Sequence, residues 1–369
     1  MCCKLMKKCC CIVVIAMITG AVFYFLCGLK GEAIQENGYL GQKLRSKREK
    51  VKQACECMKA QGEDIAREVK FAAEYSADEM KDSWKHAGEA VRNAASEIKA
   101  DMSEMKEVFE DALQVSKDSQ GAFDLTVLPL SQLWNFDKLG DSDFDVSTMK
   151  VPDKEDIAQA MAKVDYTQLK YDDATGILTT ENPDIQIELG AIGKGYAIEQ
   201  AKDVLKRSDA SGGMVSAGSS IYVCGTKKDG SRFRVALRDP RGDENSAIGV
   251  LTLSDTTIST TGDYERYFEK DGVRYHHILD PRTGYPADSG LMQVTIICDD
   301  SVIGDALSTA CFVLGLDEGM NLAAKYGVNA IFVDTDKNIW YNNPDVLNYF
   351  EFTGKDSGYV LNEYNQARS

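Results

Sequence analysis

The chain has 369 residues, of which 44% are hydrophobic and 27% charged, and its formal net charge is −16. That length and composition allow a full globular core and more than one domain. The acidic balance excludes a general nucleic-acid binder, which needs a basic face. The eleven cysteines are not a disulfide framework: six lie at or before Cys27, and the absence of any CxxC pair argues against a zinc site.

In chain order, Lys4, Lys7 and Lys8 precede an uncharged apolar stretch from Cys9 to Leu29, about long enough to cross a bilayer as a helix. Residues 1–30 are therefore expected to be an N-terminal membrane anchor or signal segment. A cleaved signal peptide would look similar, but no small-x-small cleavage site follows, and Phe25 and Leu26 are too bulky for a lipoprotein signal at Cys27. Basic residues on the far side (Lys43, Arg45, Lys47, Arg48) divide the positive-inside signal. The expected location is the cell membrane, with the downstream domain on the extracytoplasmic side.

Residues 31–115 are expected to be a helical stalk. Proline is absent from Gln42 to Ser116, and Ile65, Val69, Ala72, Met80, Trp84, Ala87, Val91, Ala94, Ile98, Met102, Met105, Phe109 and Ala112 recur at spacings compatible with an amphipathic helix. A stalk or a helical hairpin folded on itself satisfies that pattern, as does a partner-binding or membrane-surface helix.

From residue 116 to the end the texture is that of a mixed α+β domain. Gly121 to Leu130 is a turn running into apolar sequence, followed by an acidic, turn-rich segment up to Pro152. Ile185 to Leu189 alternates as a half-buried strand does. Gly190-Ala191-Ile192-Gly193-Lys194-Gly195 follows, and Tyr196 to Arg207 has a helical pattern. A strand, a glycine-rich turn with a lysine and a helix start can present amides and a cation to phosphate. The same residues equally fit a plain tight turn with a surface lysine, and the spacing is not that of a Walker A loop.

Two of the three histidines, His276 and His277, lie in Tyr275-His276-His277-Ile278-Leu279-Asp280-Pro281-Arg282-Thr283-Gly284. Histidine is suited to taking a proton from a hydroxyl near neutral pH, although a lone histidine also serves as a satisfied core residue. Asp305 and Thr309 are four apart at the start of an apolar helical pattern, so carboxylate and hydroxyl share one face. Hard oxygen ligands so placed suit Mg²⁺; a helix-capping role for Asp305 is the alternative.

Taken in order, Gly121-Ala122-Phe123-Asp124, Glu188 to Ala197, Thr261-Gly262-Asp263-Tyr264, His277 to Gly284 and Asp305 to Ala310 resemble the FAD:protein FMN transferase (ApbE) family. The resemblance spans about residues 104–350, and the family's usual N-terminal strand region finds no counterpart in residues 42–103. It implies an ApbE-like fold, with strands packed under helices, preceded by the helical segment and the anchor. It also implies Mg²⁺ ligands at the Ala191 carbonyl, Asp305 and Thr309. FAD contacts are implied at Ala122, Phe123, Asp124, Glu188, Lys194 and the main chain around Leu279. His277 would activate the acceptor and Lys194 would add positive charge. The implied reaction transfers FMN from FAD to a Thr or Ser hydroxyl of a target protein and releases AMP. Two rival readings fit the same residues: an FAD pyrophosphatase or non-catalytic FAD-binding protein, and a membrane-tethered helical interaction protein carrying a degenerate transferase domain.

Overall fold

The computed structural model describes residues 106–140, 143–172, 177–206, 211–243 and 245–365. The chain divides into two compact units, Met1–Met102 and Ser103–Ser369, and every described residue belongs to the second. The expected anchor over 1–30 and the stalk up to residue 105 lie outside the described residues. Among the described residues no helix is long and apolar enough to cross a membrane.

The first described helix, α1, covers 106–118. The sequence pattern placed most of it in the stalk, but Val108, Ala112 and Val115 are buried in the main core of the C-terminal unit. Its apolar spacing was legible; the partner of that face was not. Gln120 and Gly121, both at positive φ, end the helix, and the Gly121 amide donates back to the Ser116 carbonyl at 2.9 Å. Short helices α2 (Leu128–Trp134) and α3 (Lys154–Met161) and the hairpin of β1 (Lys170–Asp172) and β2 (Ile177–Thr179) come next.

Helix α4 (Gly193–Lys206) starts within the glycine turn, three residues earlier than the side-chain pattern indicated. Residues 185–189 do not form the expected strand. They join no ladder; the Glu188 amide donates to the Leu125 carbonyl at 2.8 Å. Alternation there reflects packing of Ile185, Ile187 and Leu189 against the main core.

The next strands are β3 (Gly212–Ala217), β4 (Ser220–Gly225), β5 (Phe233–Arg238), β6 (Ala247–Leu253), β7 (Thr256–Gly262), β8 (Tyr267–Lys270), β9 (Val273–His276) and β10 (Leu291–Cys298). Helices α5 (Ser301–Leu314) and α6 (Leu316–Lys325) precede β11 (Asn329–Asp334), β12 (Asn338–Tyr341), β13 (Phe350–Phe352) and β14 (Val360–Glu363). One seven-stranded sheet runs in the order β14-β12-β11-β10-β7-β4-β3, and β13-β6-β5 form a second sheet of three. All pairs in the large sheet are antiparallel except β12 with β14.

This is an α+β architecture with three layers. Val294, Ile296, Ala330 and Phe332 point from the large sheet toward the helices, in one core with Ala306, Ala310 and Phe312 of α5. Ile297, Ile331, Val333 and Ile339 fill the opposite face against Val235, Leu237, Ile248 and Leu251 of the small sheet. Strand β10 lies between both cores, which explains its nearly unbroken apolar sequence. Helix α5 is apolar on most sides for the same reason: it lies between the sheet and α4, α1 and α6.

Candidate active site

The junction of α4 and α5 brings together residues more than a hundred positions apart. Asp300 caps α5, its Oδ1 accepting from the Val302 and Ile303 amides at 2.9 and 3.0 Å. Asp305 is therefore one turn inside the helix, which removes the capping role considered for it. It is only 2% exposed. Its Oδ1 pairs with Lys194 Nζ at 3.0 Å and accepts from Ser220 Oγ at 3.2 Å. Its Oδ2 accepts from the Gly195 amide at 2.9 Å.

That last bond alters the start of α4. In a regular helix the Gly195 amide would donate to the Ala191 carbonyl. Here it turns to Asp305 and so does not occupy the Ala191 carbonyl, the atom that the family resemblance implies as a metal ligand. Gly195 permits the approach: a Cβ there would lie 2.1 Å from the Ser301 carbonyl oxygen.

Below α5, the strands present hydroxyls rather than aliphatic groups. Ser259 Oγ donates to Ser220 Oγ at 3.2 Å. Ser308 Oγ donates to the Asp305 carbonyl at 2.8 Å and lies 2.7 Å from Thr261 Oγ1, which in turn is 3.3 Å from Thr309 Oγ1. Asp305 and Thr309 thus belong to one polar row. Ser220 and Ser259 were not singled out in the sequence; the only local signal was a run of small polar residues in strands otherwise rich in apolar ones.

Of the two histidines, His276 is the core residue. Its Nε2 lies 3.0 Å from the Ala287 carbonyl, its Nδ1 accepts from the Ile278 amide at 3.3 Å, and its ring packs edge-on to Phe312. His277 is half-buried, and its amide and Nδ1 both face the Arg266 carbonyl, at 3.0 and 3.3 Å. Donation from Nδ1 leaves Nε2 as the nitrogen with a lone pair. Burial, then the neighbouring Arg266, then His276, with a smaller effect of Lys194, holds the imidazole down to about 3. The ring is therefore held in its neutral form.

This has a consequence for folding. Burial also lowers the His276 pKa. The unfolded chain binds protons at both rings below about 6.5, while the folded one resists until much lower pH. Their contribution is present in full above about 6.5 and is lost as pH falls toward 3. The urea midpoint is expected to fall between pH 7.5 and 5, and His277→Asn to lessen that fall. An identical pH dependence in the variant would contradict the assignment.

The remaining predicted residues divide. Glu188 approaches the same neighbourhood: burial raises its pKa, a bond from Ser131 and the charge of Arg266 oppose this, and Asp137 adds to it. Its Oε2 is buried without a hydrogen-bond partner. Lys194 also donates to the Gly190 carbonyl at 3.2 Å. Ala122 and Phe123 are buried in the main core. The Asp124 carboxylate braces its own loop, accepting from the Thr126 amide and hydroxyl at 2.7 Å each and from the Tyr166 amide at 3.1 Å. Leu279 packs with Trp134, Phe136 and Phe268 in a third cluster. Trp134 Nε1 donates to the Gly284 carbonyl at 2.9 Å, securing the loop after His277.

A sequence model of the ApbE family matches residues 56–332. The chain belongs to the ApbE family. The match begins well before residue 104 and takes in much of the stretch in which the motifs find no family counterpart. An FAD:protein FMN transferase of Klebsiella pneumoniae is 35% identical over 251 residues, covering 68% of this chain and 73% of that protein. One from Treponema pallidum is 32% identical over 248 residues, covering 63% of this chain and 66% of its own length. Among solved structures, the ApbE protein of Thermotoga maritima superposes with a TM-score of 0.58 at 35% identity, covering 66% of this chain and 77% of that one. The flavin transferase ApbE of Vibrio cholerae gives 0.58 at 26% identity, over 67% and 76% of the two chains. The ApbE fold is thus a mixed helix-and-strand domain in this chain as in those.

Proposed function

We propose that the chain is an FAD:protein FMN transferase that moves FMN from FAD to a Thr or Ser hydroxyl of a target protein and releases AMP. The observation that carries this reading is the α4–α5 junction, where buried Asp305 pairs with Lys194 and draws the Gly195 amide of the glycine turn. The family and its named relatives support the flavin chemistry.

The donor set fits Mg²⁺. Among the described residues there is no cluster of three or more His, Cys, Asp or Glu side chains that would cage a cation. Mg²⁺ does not need one: it takes one or two carboxylates, neutral oxygens, waters and substrate phosphate. The Ala191 carbonyl, the Asp305 carboxylate and the Thr309 hydroxyl would hold it. Once bound, it neutralises charge on the pyrophosphate.

The chain's own groups account for the rest. Lys194 spends two of its three N–H donors on Asp305 and Gly190, leaving one for a phosphate oxygen of FAD. The unpartnered Glu188 Oε2 offers the flavin nucleotide a buried acceptor. His277 Nε2 takes the proton of the acceptor hydroxyl as its oxygen attacks the FMN-side phosphorus. The P–O bond to AMP breaks, and FMN remains joined to the target through a phosphoester. With water as acceptor the same steps yield free FMN and AMP.

The test is incubation of the full chain with FAD, Mg²⁺ and a Thr-containing acceptor peptide, scored for AMP and for a flavin-labelled peptide. Both products are expected in equal amounts. AMP without label would make the protein a pyrophosphatase, and neither product would overturn the reading. His277→Ala is expected to lower turnover by about 10²–10⁴-fold with little change in FAD affinity. Removing divalent metal with a chelator is expected to stop both products, and Mg²⁺ to restore them. Residues 1–30 are proposed to anchor the domain at the membrane on its extracytoplasmic side, to be checked by protease accessibility in intact cells.

A further inference from the structure

Arg266 sits in the turn before β8 and makes contact in two directions. Its main-chain carbonyl receives His277 twice, through the backbone amide and through Nδ1. Its guanidinium reaches across the sequence to Asp137, with NH1 2.5 Å from Oδ1. Asp137 belongs to a short 3-10 turn, Phe136–Gly140. That turn is held by the Phe136 ring, which stacks on Trp134 at 5.7 Å and packs against Phe268 at 5.8 Å. The Arg266 side chain therefore ties the turn beside His277 to the wall formed by Trp134 and Phe136.

We propose that Arg266 is a positioning residue for His277, with Asp137 as its anchor, and that the pair fixes which imidazole nitrogen is free to take the acceptor's proton. The inference rests on the reading of His277 as the base. A carbonyl can accept but not donate, so it commits Nδ1 to carrying the hydrogen and leaves Nε2 basic. The tautomer is only as well defined as the position of that carbonyl, and the Asp137 contact restrains it. An exposed ion pair would ordinarily contribute little to stability; here its value is geometric, because a small displacement of a proton acceptor is costly to rate. The charged and titratable groups facing His277 are Arg266, His276 and Lys194. His276 is committed to Ala287 and Ile278, and Lys194 to Asp305 and Gly190. Arg266 is the member of this group that bonds His277 directly.

Two measurements on the full chain test this. The chain holds three histidines, so ¹⁵N-histidine NMR can resolve the His277 ring, with His277→Asn as the assignment control. The wild type is expected to show His277 protonated at Nδ1 alone. Arg266→Ala and Asp137→Asn are expected to give mixed tautomers as the restraint weakens, and Arg266→Ala, which also removes a neighbouring cation, to shift the imidazole titration upward. In the transfer assay Arg266→Ala should lower kcat by about 10-fold or more, move the acid limb of the pH profile upward and leave the FAD KM within about 2-fold. Arg266→Lys, which keeps the charge, should recover much of both. Unchanged ring signals and pH profile in Arg266→Ala and Asp137→Asn would overturn the proposal, as would an effect confined to KM. If the wild type released no AMP but its tautomer depended on Arg266, the functional reading would fail while the positioning role stood.

Discussion

Asp305→Asn is expected to abolish FAD cleavage in a folded protein, whereas Asp305→Ala should cost activity and stability together. The difference lies in what the carboxylate holds. Asp305 accepts from Lys194, Ser220 and the Gly195 amide. Truncation to Ala leaves the Ser220 hydroxyl and the Gly195 amide without an acceptor in a buried place, at roughly 1–3 kcal/mol each. For a domain of this size that is a fall in Tm of about 5–15 °C. Lys194 is partly exposed and can return to water, so its loss adds little. Asn retains one oxygen and the shape, and should lose about half as much. Neither variant keeps the negative charge that a divalent cation requires. Both should lose at least about 10²-fold in AMP release, together with any rise in Tm on adding Mg²⁺. Near-normal, Mg²⁺-dependent turnover by Asp305→Asn would remove Asp305 from the site.

Gly195→Ala should be strongly destabilising for a single added methyl, and Gly193→Ala, two residues away, nearly silent for stability. A Cβ on Gly195 would stand 2.1 Å from the Ser301 carbonyl oxygen and 2.8 Å from Asp305 Cβ. The first of these is main chain, so no rotamer change relieves it; α4 and α5 must separate. Overpacking of this kind costs about 1–3 kcal/mol and sometimes more, and the separation also lengthens the Gly195–Asp305 hydrogen bond. A Cβ on Gly193 meets nothing within 4 Å, so its effect should be within about 0.5 kcal/mol. Urea midpoints for the two variants decide the matter, and equal midpoints would mean that the helices do not meet as closely as described.

The glycine turn, the His277 segment and the Asp305–Thr309 spacing were visible in the sequence because each is local. The chemistry of a turn or of two positions four apart on a helix is carried by neighbours in the chain. What joins them was not visible. Ser220 meets Asp305 across 85 positions and Arg266 meets Asp137 across 129, and no spacing rule links such residues. The choice between His276 and His277 rested on the family pattern, and the structure supplies the physical reason: both ring nitrogens of His276 already have partners in the core. Residues 185–189 misled through their alternation, which here reflects Ile185, Ile187 and Leu189 resting on the core without a ladder. For α1, periodicity revealed a buried face but could not distinguish packing against another stalk helix from packing against α5 and α6.

The hydroxyl row under α5 sets a limit on how this protein can change. Elsewhere on that face the sheet presents Val294, Ile296, Ala330 and Phe332 to the helices, while Ser220, Ser259 and Thr261 interrupt the aliphatic surface. Selection for thermal robustness alone would favour alkyl groups at these three positions, yet a change at Ser220 would unhook Asp305, one at Thr261 would unhook Thr309, and one at Ser259 would strip Ser220 of its neighbour. Hardening the fold and keeping its chemistry are opposed along this strip, so a heat-tolerant descendant would have to find its extra stability elsewhere.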